Sequence, residues 1–143
     1  MLIYSRMKLG KHNKQISDLS KTADVVAIYL FGSRALGLEH SLSDYDYAVL
    51  TSHNNHKKGD KLYHRLYQIL SDISPRTKKN DVIDLVYLQS VGLELKMHII
   101  RYGKLIVDND PVKRLEFEVH TQRLYCDFKP LLDTFDSAIL ESL

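Results

Sequence analysis

Tryptophan is absent from this 143-residue chain, and cysteine, proline and glycine are sparse, at one, three and six residues. The lone cysteine, Cys126, excludes an intrachain disulfide and fits a reducing compartment. No low-complexity tract stands out, and no period of about 20 to 50 residues recurs, which excludes a solenoid or a repeat array. Long apolar runs are missing too. The longest is Val25 to Phe31, far short of the roughly 20 residues that a membrane-spanning helix needs. The opening MLIYSRMKLGKHNKQ lacks the basic start, apolar middle and small-residue cleavage site of a secretory signal. Neither sign of charge is in excess: the formal net charge is +2. That gives no electrostatic case for a nucleic-acid or membrane partner. Nine tyrosines offer stacking surfaces, but no basic run interleaves with them, which argues against direct nucleic-acid binding. The expectation is one cytoplasmic globular domain over residues 1–143.

What the chain does contain is concentrated between residues 25 and 50. A β-branched apolar run, Val25 to Phe31, stops at Gly32-Ser33, ten residues follow, and Asp44-Tyr45-Asp46 leads into a second apolar run ending at Leu50. The first run reads as a buried strand and the second as its partner. Arg34 to Leu38 is long enough only for a short helix, closed by Gly37. Ile16 and Leu19 suggest a helix over residues 11–23. The polar stretch 51–60 reads as a surface loop. Leu62, Leu66, Ile69, Leu70 and Ile73 recur at amphipathic-helix spacing. Val82 to Leu88 is a third strand with Asp84 as its one charge. Ser90 suggests the N-cap of a helix running through Arg101, with Gly103 just past its end. Leu105 to Val107 suggests a short fourth strand. Asp110-Pro111 opens the longest helix, whose apolar positions Phe117, Leu124, Phe128, Leu131, Phe135 and Ala138 or Ile139 form one stripe, with a kink expected near Pro130. The fold class is therefore α/β: a small mixed sheet of three to four strands flanked by helices, with a core over 1–108 and a helical extension over 110–143.

The chemistry follows from the strand ends. Side chains alternate along a strand, so Asp44 and Asp46 project to one face, one pleat apart. Adjacent carboxylates repel unless a cation lies between them, and Mg²⁺ takes such oxygen ligands together with substrate phosphates. Gly32 lets the backbone approach a phosphate closely, while Ser33 begins a helix whose free N–H groups and dipole favour an anion. Arg34 is placed for a phosphate oxygen or for solvent. Asp84 sits among apolar neighbours, and an isolated charge in a buried strand costs several kcal/mol unless paired or metal-bound. If the third strand lies beside the second, Asp84 joins Asp44 and Asp46. An exposed acid, or one paired with a lysine, is the alternative, and Asp81 is a rival at the loop end.

Taken together, LFGSRALG, SDYDYAVL and the downstream VIDLVYL resemble the DNA-polymerase-β-like nucleotidyltransferases, whose signature is Gly-Ser, about ten residues, Asp-x-Asp and a later Asp. The short chain is similar to the minimal nucleotidyltransferases. Its ending, EFEVHTQRLYCDFKPLLDTFDSAIL, is similar to the antitoxins of HEPN/MNT toxin–antitoxin modules. Leu36 departs from the pattern, since relatives often carry a second arginine there. The resemblance implies a type VII-like antitoxin: a Mg²⁺-dependent protein adenylyltransferase that moves AMP from ATP to a tyrosine of a partner HEPN ribonuclease toxin. It implies Asp44, Asp46 and Asp84 as metal ligands of a two-metal site, Asp84 also as proton acceptor, and Gly32, Ser33 and Arg34 as nucleotide contacts. The same residues leave two other functions open, neutralisation by binding alone and nucleotidyl transfer to a small-molecule hydroxyl.

Other residues are read as structural. His53, His56, His64, His98 and His120 are expected at the surface, and Cys126 as buried filler in the terminal stripe. That stripe packs on its own sheet or docks a helical partner.

Overall fold

The computed structural model describes residues 24–32, 45–74 and 83–142. The suggested helices over 11–23 and 34–38 lie outside them. Four strands form one sheet: β1 (Val25–Phe31), β2 (Tyr45–Thr51), β3 (Ile83–Tyr87) and β4 (Lys104–Asp108). Among the described residues three α-helices accompany it: α1 (Lys61–Ile73), α2 (Leu93–Tyr102) and α3 (Pro111–Ser142). The sheet order is β3-β2-β1-β4. β1 is antiparallel to both β2 and β4, whereas β2 and β3 run parallel, as strands joined by a helical crossover do. The expected mixed sheet is thus present with four strands, and the fourth extends one residue beyond the predicted run at each end.

Each face of the sheet buries its own set of apolar side chains. On one face Ile28, Leu30, Tyr47, Val49 and Leu85 pack with Leu66, Leu70 and Ile73 of α1. The 3.6-residue spacing of those helix positions predicts that contact. Fully burying a leucine or isoleucine contributes roughly 1.5–3 kcal/mol, so this layer fixes which way β2 and β3 face. On the other face Ala27, Tyr29, Ala48, Leu50 and Ile99 gather, with Val86 and Phe117 packed against them. Tyr29 donates a hydrogen bond to Glu118 Oε1 of α3 at 2.6 Å, tying the long helix to the central strand. Burial and the neighbouring Glu118 carboxylate push the Tyr29 phenol far above its ordinary range.

The helix ends expected at Asp110 and Gly103 are present, the one at Ser90 is not, and Asp60 supplies a cap that the sequence reading did not name. Asp60 caps α1 by accepting from the Tyr63 N–H at 2.8 Å, and Asp110 caps α3 by accepting from the Lys113 N–H at 3.1 Å. Ser90 does not cap a helix. It ends a 3-10 turn, Leu88–Ser90, and α2 begins three residues later, after Gly92. The turn lets Gln89 bond to both the N–H and the carbonyl of Thr51, closing the chain against β2 before the helix can start. Gly103 follows α2 as expected.

Two surface assignments also change. Cys126 is exposed rather than buried, because it lies about 180° around α3 from Phe117 and Phe135, on the side away from the stripe. His56 is largely covered. Its ring nitrogens face Asp24 Oδ2 at 3.2 Å and Asp60 Oδ2 at 2.9 Å, and its ring stacks on Tyr87 with centroids 5.5 Å apart. Polarity suggested solvent, but the Asp24 and Asp60 carboxylates and the Tyr87 ring cover the imidazole. His53, His64, His98 and His120 are exposed, as expected.

Candidate active site at one rim of the sheet

Three strand ends converge at one rim. β1 runs toward it and ends at Phe31, whereas β2 and β3 start from it. Asp46 is the second residue of β2 and Asp84 the second of β3. The parallel register pairs them directly, Asp46 with Asp84, followed by Ala48 with Val86. Direct partners point to the same side of a sheet. Both carboxylates therefore project from the face that Ala48 and Val86 share with α2 and α3. Tyr45, Tyr47, Ile83 and Leu85 point the other way, into the layer beneath α1. A slip of one residue in either strand would have put one acid into that apolar layer.

The first strand contributes from the opposite side. Phe31 is the antiparallel partner of Asp46, so it too faces the carboxylate side. Gly32 follows with φ +75°, a left-handed conformation that glycine adopts without strain. A Cβ built there would overlap Oδ2 of Asp46 and lie 3.3 Å from its Cγ. The glycine backbone and the aspartate carboxylate are thus in immediate contact, and any side chain at position 32 would displace the acid. Sequence reasoning assigned Gly32 to the phosphate and Asp46 to the metal. Their direct apposition was not foreseen, nor was Phe31 as a neighbour of Asp46, although period-2 alternation along Val25–Phe31 carried that signal.

Asp84 requires a correction of reasoning rather than of position. It was expected in a buried strand where its charge needed a partner. In the structure Asp84 is exposed while Ile83 and Leu85 on either side are buried. Among the described residues β3 is the edge of the sheet, and its open face at the rim solvates the carboxylate, so no burial penalty forces a metal upon it. What singles Asp84 out is its register with Asp46. Asp46 itself is half-buried.

The residues that would complete the constellation, Ser33, Arg34 and Asp44, lie outside the described residues, as does the rival Asp81. A hard divalent cation takes carboxylate oxygens, and Asp46 and Asp84 supply a matched pair of them on one face. Gly32, just past the end of β1, meets Asp46 with no side chain in between. The donor set at the rim fits such an ion. A separate cavity of about 650 Å³ lies toward the other end of this face, lined among others by Leu50, Gln89, Lys96, Phe117 and His120. It contains none of these acids.

Comparison with known proteins adds independent findings. A family model described as "Polymerase beta, Nucleotidyltransferase" matches residues 13–112. No curated protein gives a significant match. Among solved structures, a chain of a toxin-antitoxin crystallised with AMP-PNP superposes with a TM-score of 0.58 at 24% identity, covering 87% of this chain and 96% of that one. A chain of the toxin-antitoxin MntA-HepT gives 0.54 at 23% identity, covering 90% and 98%. A third, from the tri-AMPylated Shewanella oneidensis HEPN toxin in complex with MNT antitoxin, gives 0.53 at 21% identity, covering 87% and 93%. At these identities the likeness establishes the fold.

Proposed function

The chain belongs to the polymerase beta nucleotidyltransferase family, and from that premise we propose that it transfers AMP from ATP to a tyrosine hydroxyl of a partner HEPN ribonuclease, acting as its antitoxin. The observation that carries the catalytic reading is the direct pairing of Asp46 with Asp84 beside Gly32. Support for the partner comes from the solved structures of similar fold, one with AMP-PNP and one whose HEPN toxin carries AMP.

In this reading Asp46 and Asp84, with Asp44, hold Mg²⁺. The bound ion supplies charge neutralisation to the triphosphate and to the developing transition state. The remaining work falls to the chain itself. Gly32 keeps the backbone bare, so the phosphates approach the strand ends closely, and the Ser33 hydroxyl and N–H donate to their oxygens. Asp84, open to solvent at the edge strand, accepts the proton of the tyrosine hydroxyl. The phenolic oxygen forms its bond to the α-phosphorus as the bond to the bridging oxygen breaks, and pyrophosphate leaves with that electron pair. The edge position of β3 gives a macromolecular acceptor access that a central strand would deny.

The test is direct. The protein is incubated with ATP, Mg²⁺ and its partner HEPN protein, followed by peptide mass spectrometry. Stepwise addition of AMP to a tyrosine peptide is expected, and none with the Asp44→Asn/Asp46→Asn double variant. An authentic partner that gains no mass, or that gains it equally with the double variant, refutes the proposal.

A further inference from the structure

The stripe along α3 changes character half-way along the helix. Phe117 packs against the sheet, Thr121 is buried and Leu124 is half-buried. The same alternating step of four and three then reaches Phe128, Leu131 and Phe135, and Ile139 continues the line one turn on, yet all four side chains are exposed, at 47, 51, 59 and 58%. The helix continues through Pro130 to Ser142 and carries this strip beyond the sheet.

The charges beside the strip specify what covers it. Residues 127–142 contain four acids, Asp127, Asp133, Asp136 and Glu141, against one base, Lys129, and Lys129 is already paired with Asp133 at 3.1 Å. At about 100° per residue, Asp127 and Asp136 border the strip on its two sides. A second copy of this segment would bring its own acids alongside these, and like charges flanking a helical seam disfavour pairing.

We infer that the distal half of α3 is a docking surface for an α-helix of a different protein, one whose apolar stripe is bordered by basic side chains. The inference deepens the partner named above and rests on that reading, but its test uses no nucleotide, so either can fail without the other. The full chain is titrated with two roughly 20-residue amphipathic helical peptides that share one apolar face and carry either lysines or glutamates beside it. The lysine peptide binds at least about tenfold more tightly, and the preference shrinks in about 0.5 M salt. Leu131→Glu/Phe135→Glu abolishes binding while circular dichroism is unchanged. Asp127→Lys/Asp136→Lys, at exposed positions, reverses the preference. Equal binding of the two peptides, binding of neither, or a wild-type dimer in light scattering that the Leu131→Glu/Phe135→Glu variant dissolves each overturns it.

Discussion

Gly32 and Asp84 make opposite predictions, and the difference separates architecture from chemistry. Gly32 combines φ +75° with a carboxylate where its Cβ would be. Gly32→Ala therefore lowers stability by about 1–2 kcal/mol, the left-handed penalty for an L-residue, and lowers transfer as well by displacing Asp46. Denaturant midpoints and AMP incorporation measured on the same preparation check both halves. Asp84 is exposed and its neighbours carry the packing, so Asp84→Asn leaves stability within about 0.5 kcal/mol while transfer falls by at least about 100-fold, as removal of a proton acceptor does. A large loss of stability in Asp84→Asn would show that the acid is structural. Asp60 illustrates a third kind of residue, one that only holds the fold. Partial burial raises its carboxyl, but hydrogen bonds from Tyr87, the Tyr63 N–H, His56 and the Lys57 N–H outweigh this and hold it at about 2. A depressed carboxyl favours the folded state above its unfolded value near 4, and that contribution is lost as pH falls toward 2. Asp60→Ala costs about 1–2 kcal/mol at neutral pH, and the deficit relative to wild type narrows on acidification, as thermal melts at several pH values would show.

At the scale of elements, α3 is two helices in one. Its first half is fastened to the sheet by Tyr29–Glu118 and by Arg114, which reaches Asp108 at 2.9 Å and Glu118 at 3.2 Å. Hydrogen bonding to both carboxylates holds the guanidinium above even its ordinary range. Tyr29→Phe removes the cross-element bond to a charged acceptor and costs about 1.5 kcal/mol, measurable by urea unfolding. Strand and helix identities were legible because Val25–Phe31 is a short β-branched apolar run, Tyr47–Leu50 is a second apolar run, and Leu62–Ile73 keeps a clean 3.6-residue period. The start of α2 was not legible, because Gln89 spends its side chain on Thr51, a contact between residues 38 apart in sequence that no local pattern encodes. The exposure of Cys126 was legible but missed, since at about 100° per residue it falls on the side of α3 opposite Phe117 and Phe135.

For the molecule as a whole, the sheet order β3-β2-β1-β4 makes the candidate site possible, because it sets a parallel neighbour on one side of Asp46 and the glycine turn on the other. Spacing could suggest Gly32, Asp46 and Asp84 as candidates but could not fix the register that aligns them. That register depends on which side chains α1 covers, a long-range packing outcome. The sharpest measurement of the account is a double-mutant cycle on AMP transfer at the Asp46 and Asp84 positions, with folding of every variant verified. If the two carboxylates act as one unit, Asp46→Asn, Asp84→Asn and the double variant all lose transfer to about the same degree. Losses that simply multiply, or transfer surviving in either single variant, would contradict it.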